Sequence, residues 1–325
     1  MNKRKILLID AANMFFRAYT ASPALSSNGH HVGGILGFFY SLQKSIKDIK
    51  PHNVFIIWDG QGGSKKRREI RKDYKDGRKP PKPLRLNRVH DIQGDAADEK
   101  KSLYYQQHRV IEILNHLPFI QLCESGIEAD DLISFLVSKY SCDEYLKIII
   151  SNDRDFIQLT DECTILYRPA KQEYITYKTH LESEGIHPKN MALSRAIEGD
   201  NSDNLSGVKG VGRKTIAKNF PMFASPEQVS IDDLKKICEG KEDCKPAKAI
   251  LENIETVEMN YKIMQLYMPL ITVDAKMKVE SIIDDYQYNI DIKSFKEEWK
   301  KESIMSVSFF PLLEHANKIV KENKK

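Results

Sequence analysis

Lys147-Ile148-Ile149-Ile150-Ser151-Asn152-Asp153-Arg154-Asp155 is the stretch on which the fold turns. Its aliphatic run reads as a strand buried on both faces, and it ends directly in acids. Two more runs behave alike: Lys5–Ile9 leads into Asp10, and Val54–Trp58 leads into Asp59. Phe119–Leu122 and Thr164–Tyr167 are further strand candidates. Helical periodicity lies between the runs, over Gly34–Ile49, Leu103–Leu117 and Ala129–Tyr140. Strands alternating with helices predict an α/β fold with a mostly parallel, wound sheet. In such sheets the ligand crevice lies beyond the C-terminal strand ends, where these acids fall.

The strand signal fades after about Thr176. This predicts an α/β core over 1–175 and a helical region over 176–325, joined at Asp200–Gly212. Between Gly60 and about Lys101 the chain is basic and rich in turn residues, and Gly77–Pro83 breaks any helix. A connection this long within a domain is functional or disordered. From Ser64 to Arg88, twelve Lys or Arg face three acids, a net +9; the rest of the chain carries −5 of the total +4. A basic block on an otherwise acidic chain points to a polyanion partner beside a carboxylate-rich site, although a solvated charge run reads the same way.

Length and composition narrow the class. At 325 residues, 41% hydrophobic and 30% charged, the chain can bury a full core and falls in the soluble globular range. No apolar run approaches the roughly 18–20 residues of a membrane span. The basic start MNKRKILLID holds only the short run Ile6–Ile9, too short for a signal peptide, so a cytoplasmic or nucleoid location is expected. Five cysteines, at 123, 142, 163, 238 and 244, form no C-x-x-C pair; reduced, structural thiols are expected rather than zinc or disulfides.

Nine acids fall where one site would use them: Asp10, Asp59, Glu128, Asp130, Asp131, Asp153, Asp155, Asp200 and Asp203. Glu128 and Asp131 sit three apart on one helix face. Asp153 and Asp155, leaving a strand at i, i+2, are expected to point the same way. Asp200 and Asp203 frame a turn. Taken singly, such acids also cap helices and make turns. Gathered in one crevice they would repel unless protonated or neutralised by cations. Oxygen ligands without a His or Cys set favour Mg²⁺ or Mn²⁺ over zinc. Two such ions would clamp the attacking and leaving oxygens of an in-line phosphoryl displacement.

Ser206-Gly207-Val208-Lys209-Gly210-Val211-Gly212-Arg213-Lys214-Thr215 is a glycine-rich turn feeding a helix. It matches neither a Walker A loop nor a dinucleotide fingerprint. Gly207, Gly210 and Gly212 would let the backbone approach a DNA phosphate, with Lys209, Arg213 and Lys214 adding charge. An ordinary tight turn between helices is the plainer reading.

With these motifs in view, the sequence resembles the 5′ nucleases of bacteriophages and of the N-terminal domain of bacterial DNA polymerase I, relatives of the flap endonucleases. Asp10-Ala11-Ala12-Asn13 through Arg17 resembles the opening motif, with Ala11 where Gly is usual. Val32-Gly33-Gly34-Ile35 and Trp58-Asp59-Gly60 resemble the next two. Arg67-Arg68-Glu69-Ile70 with Tyr74-Lys75-Asp76-Gly77-Arg78 resembles the arch motif. Glu128-Ala129-Asp130-Asp131 and Ser151 to Leu159 match in pattern. Gly199 to Val208 matches except at Ser206, where Pro is usual. Gly210 to Thr215 resembles a helix–three-turn–helix duplex-binding motif, placed at about 199–220.

The resemblance covers nearly the whole chain. It implies a PIN-like α/β core, a helical arch over about 60–101, and a structure-specific flap endonuclease and 5′-3′ exonuclease of replication or repair. It implies two Mg²⁺ ions, with Mn²⁺ as substitute, one held chiefly by Asp10, Asp59, Glu128, Asp130 and Asp131, the other by Asp153, Asp155, Asp200 and Asp203. K⁺ at the helix–three-turn–helix belongs to the same expectation. Lys75 and Arg78 would be catalytic; Arg67, Tyr74 and the glycine-rich turn would bind DNA. The implied partner is DNA with a 5′ flap or a 5′ end beside a duplex, with RNA-primed ends as a further substrate, no membrane, and a monomeric enzyme in the cytoplasm of a cell or of a phage's host. The chain ends without a polymerase domain, as in the free-standing phage-type members. A PIN-like ribonuclease and a non-catalytic DNA-binding scaffold are the rival readings; the basic arch and the intact acid set argue against them. Val307 to Leu313 invites comparison with a sliding-clamp peptide, but Ser303 and Ser306 fail its pattern, and a core-packing segment is expected.

Overall fold

Aliphatic runs become interior strands. The computed structural model describes residues 3–76, 96–241, 243–304 and 307–324. Its strands are β1 (Arg4–Asp10), β2 (Asn53–Ile57), β3 (Ile120–Leu122), β4 (Tyr145–Ile150), β5 (Thr164–Arg168), β6 (Glu173–Ile175), β7 (Gly199–Asp200) and β8 (Leu205–Ser206). The described residues divide into two compact units that interleave along the chain. One holds those up to Trp58, those from 96 to Leu122 and those from Asp274 onward; the other holds those from Asp59 to 76 and from Cys123 to Val273. This partition differs from the linear 1–175 and 176–325 scheme, because β4, β5 and β6 fall in one unit with the helices that follow them.

In the first unit β1 pairs with β2 and β2 with β3, all parallel, with Ile6 opposite Asn53 and Phe55 opposite Ile120. Ile6 to Ile9 are fully buried, as strands covered on both faces must be. The helix Gly33–Ile49 carries Gly34 in its first turn, where a Cβ would lie 2.8 Å from both Gln106 Oε1 and the Phe15 ring; only glycine fits. Gln106 Oε1 accepts from Gly34 N at 2.8 Å. Phe39, Phe295, Trp299 and Phe309 form an aromatic cluster, with Trp299 and Phe309 centroids 4.5 Å apart. Phe309 and Leu312 are buried while Phe310 is exposed, so this segment packs the core, as read from its sequence.

In the second unit β4 and β5 are parallel, Lys147 opposite Thr164, and β6 adds antiparallel to β5. That register brings the entries to β4 and β5 together and corrects the expectation of reduced thiols. Cys142 and Cys163 are disulfide-bonded, with Cα atoms 5.4 Å apart, while Cys123, Cys238 and Cys244 are free. The helical part packs around Leu193, Ile197, Leu205, Val208, Ile216, Phe220 and Phe223. Buried Asn190 pins its loops, donating to Ser225 O and Glu227 O, each at 3.0 Å, and accepting from Val229 N at 2.8 Å. Among the described residues no helix is long and apolar enough to cross a membrane.

Candidate active site

Where β4 ends at Ile150, the chain turns instead of continuing extended. Ser151 Oγ accepts from Asp153 N at 3.0 Å, and Asp153 Oδ1 accepts from Asp155 N at 2.9 Å, so Asp155 opens the 3₁₀ turn Asp155–Leu159. Local side-chain turns of this kind, not strand alternation, set the geometry of the pair. Burial, then the charge of Asp153, raises Asp155 to about 7, although Arg195 acts to lower it; Asp200 and Asp203 add to the rise.

Arg195, on the helix Met191–Glu198, is the group that sequence reasoning missed. Its Nε lies 2.7 Å from Asp155 Oδ1, and its Nη2 pairs with Asp200. A lone cation in the otherwise apolar run before Gly199-Asp200 was the available signal. Asp200 Oδ1 accepts from Ser202 N at 2.7 Å and Ser202 Oγ at 2.6 Å. Burial works to raise Asp200, but Ser202 and Arg195 outweigh it and hold the carboxyl below its ordinary value.

The second group of acids surrounds the start of the helix Ala129–Lys139. Glu128 occupies the cap position yet makes no side-chain cap; Asp59 Oδ1 takes the Ala129 N–H instead, at 2.9 Å. Lys75 Nζ donates to Glu128 Oε1 at 3.0 Å, and Lys75 N donates to Asp203 O at 3.1 Å. Burial acts to lower the Lys75 ammonium, but Glu128, Asp130 and Asp203 outweigh it, so the charge is held firmly. Lys75 and Asn204 both have left-handed backbones, φ 60° and 61°, and Asn204 Nδ2 donates to Asp73 O at 3.1 Å. The turn carrying Asp200 and Asp203 is thus joined to the turn at Asp73–Lys75.

The structure sets several expected positions in other surroundings. Arg67 is 3% exposed and bonded to Asp131 through both ends of its guanidinium, and Tyr74 is 4% exposed in the apolar core, so neither lies on a face open to DNA. Arg213 pairs with Glu184 at 3.2 Å and Glu198 at 2.9 Å, which occupies a charge assigned to phosphate. Gly207 is required internally: a Cβ there would meet Glu198 O at 2.0 Å. Around Gly210 and Gly212 the space is open, and Lys209 and Lys214 are exposed. Arg78 lies outside the described residues, as do residues 77–95 of the arch expected over about 60–101. Asp10 belongs to the first unit, where it ends β1 and caps the helix Ala11–Ala21 by accepting from Asn13 N at 3.0 Å.

This donor set suits hard divalent cations. Every candidate ligand is a carboxylate, and two buried oxygens, Glu128 Oε2 and Asp155 Oδ1, have no hydrogen bond. Each has only an ion-pair neighbour, Arg67 at 3.1 Å and Arg195 at 2.7 Å. The carboxylates of the cluster outnumber Arg67, Lys75 and Arg195, an excess of negative charge that hard divalent cations would relieve.

Comparison with known proteins agrees with this chemistry. Residues 5–186 match the family model described as 5′-3′ exonuclease, N-terminal resolvase-like domain. A 5′-3′ exonuclease of Aquifex aeolicus (strain VF5) is 29% identical over 270 residues, spanning 82% of this chain and 83% of that protein. A 5′-3′ exonuclease of Bacillus subtilis (strain 168) is 27% identical over 276 residues, 82% of this chain and 84% of that one. In fold, the chain is similar to the bacteriophage T5 D15 flap endonuclease solved with DNA and metal ions, with a TM-score of 0.62, 16% identity, and coverage of 97% of this chain and all of that one. The match over more than half its length, together with the acid set at the strand ends, places the chain in the 5′-3′ exonuclease family.

Proposed function

We propose that this protein is a structure-specific 5′ nuclease, a flap endonuclease and 5′-3′ exonuclease that hydrolyses DNA phosphodiesters and acts in replication or repair. The observation that carries the reading is the second unit's acid cluster, held at a strand end by Arg195 and Lys75 and left with two buried, unbonded carboxylate oxygens. Asp153, Asp155, Asp200 and Asp203 would hold one Mg²⁺ or Mn²⁺; Asp59, Glu128 and Asp130 would contribute to a second. When bound, such ions lower the pKa of water and stabilise charge on phosphoryl oxygens. Lys75 supplies a fixed ammonium that would exchange its present partner, Glu128, for a phosphate. Arg78 would act beside it. Lys209 and Lys214, flanking the open backbone at Gly210 and Gly212, would grip duplex phosphates without reading sequence, and K⁺ at this turn would strengthen that grip. The enzyme would work as a monomer in the cytoplasm, close to the nucleoid, on DNA flaps and on RNA-primed 5′ ends.

Cleavage of a 5′-labelled DNA flap, with a structured RNA of equal length alongside, tests the proposal. Divalent-cation-dependent release of short 5′ fragments cut near the junction is the expected result. Faster cleavage of the RNA would indicate a ribonuclease, and tight binding without cleavage would indicate a scaffold.

A further inference from the structure

Glu128 and Asp131 share one face of the helix Ala129–Lys139, yet their surroundings differ. Asp131 is 1% exposed, and its carboxylate has three donors: Arg67 Nη1 to Oδ2 at 2.6 Å, Arg67 Nη2 to Oδ1 at 3.2 Å, and Leu270 N to Oδ1 at 2.8 Å. That uses three of about four acceptor directions. Arg67 is equally committed, since its Nε donates to Ile263 O at 3.1 Å. A two-pronged guanidinium–carboxylate pair is among the strongest polar contacts, and breaking one inside a protein is costly. Glu128 keeps Oε2 unbonded, with Arg67 Nη1 3.1 Å away as an ion-pair neighbour.

We infer that Asp131 is a positioning residue and not a metal ligand. It holds Arg67, and Arg67, together with Lys75, sets the orientation of Glu128, the acid of this pair that keeps an unbonded oxygen for a divalent cation. The inference rests on the proposed metal-dependent function but assigns a different role to one acid of the motif. Removing the Asp131 charge would leave Arg67 with Glu128 as its one carboxylate partner and draw it closer, so cation binding weakens without loss of a site. Removing Arg67 would have the opposite effect on affinity while leaving Glu128 held by Lys75 alone.

Direct Mn²⁺ titration of the DNA-free full chain by calorimetry tests this, with Asp131→Asn, Arg67→Met and the double variant. Asp131→Asn should keep the number of bound ions and weaken binding roughly three- to tenfold. Arg67→Met should tighten binding about threefold or more, and combined with Asp131→Asn it should reverse the weakening. In cleavage assays Arg67→Met should lower both the Mn²⁺ concentration at half-maximal rate and the maximal rate, a split that simple loss of stability would not produce. Loss of one bound ion in Asp131→Asn, not restored in the double variant, would overturn the inference. If Asp131→Asn does not fold, unchanged Mn²⁺ affinity in Arg67→Met would overturn it as well. Absence of Mn²⁺ binding by the unaltered chain would instead overturn the functional reading on which it rests.

Discussion

Lys75 adopts a left-handed backbone that a lysine rarely occupies, and its N–H is fixed to Asp203 O. Such a conformation persists only when its surroundings hold it, here with the ammonium directed into the acids. If that charge stabilises the developing phosphoryl charge, Lys75→Ala should lower single-turnover cleavage roughly a hundredfold or more, from about 3–4 kcal/mol. Flap affinity should change far less, since the rest of the basic window remains. Single-turnover rates within about threefold of the unaltered enzyme would restrict Lys75 to an electrostatic role in binding. His180 yields a prediction of another kind. It is buried, and that burial, with Arg154 and Arg213 nearby and Glu184 acting the other way, lowers it to about 4. Its ordinary value is near 6.5, so between these values the unfolded chain binds the proton and the native chain does not. Stability should therefore fall as pH drops from about 6.5 to about 4, by about 3 kcal/mol. His180→Phe should flatten this part of the denaturation-against-pH curve; an unchanged slope would show that His180 is not its source.

At the scale of elements, the glycine-rich turn separates into two parts. Gly199 and Gly207 cross where β7 pairs with β8, Gly199 having φ 83° and a Cβ at Gly207 striking Glu198 O. Gly212 has open space around it. Gly207→Ala should therefore destabilise the fold by about 2 kcal/mol or more. Gly212→Val should leave the melting temperature nearly unchanged and weaken duplex binding to a similar extent across sequences. A large stability loss in Gly212→Val, or a loss of binding confined to one sequence, would contradict this division. Most of the strands were legible because parallel strands are apolar on both faces and end abruptly. Strands β6, β7 and β8 were not, since they are three residues or fewer and carry no aliphatic run. The Cys142–Cys163 bond was hidden because it depends on the β4–β5 register. Spacing placed Glu128 and Asp131 on one face correctly, but their separate partners come from Arg67, Lys75 and Leu270, distant in sequence. Arg195 escaped notice for the same reason.

Across the whole molecule, a +9 segment accompanies a chain that is otherwise net acidic. This division suits a nuclease: the basic stretch would draw in a polyanion, while the acid cluster, unable to attract DNA itself, would need cations to work. Binding carried by such phosphate contacts weakens with salt through counterion release. The family match makes the chain a 5′-3′ exonuclease, and the proposal that its acid set works through metal ions is most exposed at Asp155. Its most direct test is single-turnover cleavage of a 5′-labelled flap by Asp155→Asn and by the unaltered chain, in Mg²⁺ and in EDTA, with flap binding measured in parallel. The account predicts that EDTA abolishes cleavage and that Asp155→Asn lowers the Mg²⁺-supported rate roughly a thousandfold or more while DNA binding survives. Full cleavage in EDTA, or an Asp155→Asn rate equal to that of the unaltered chain, would contradict it.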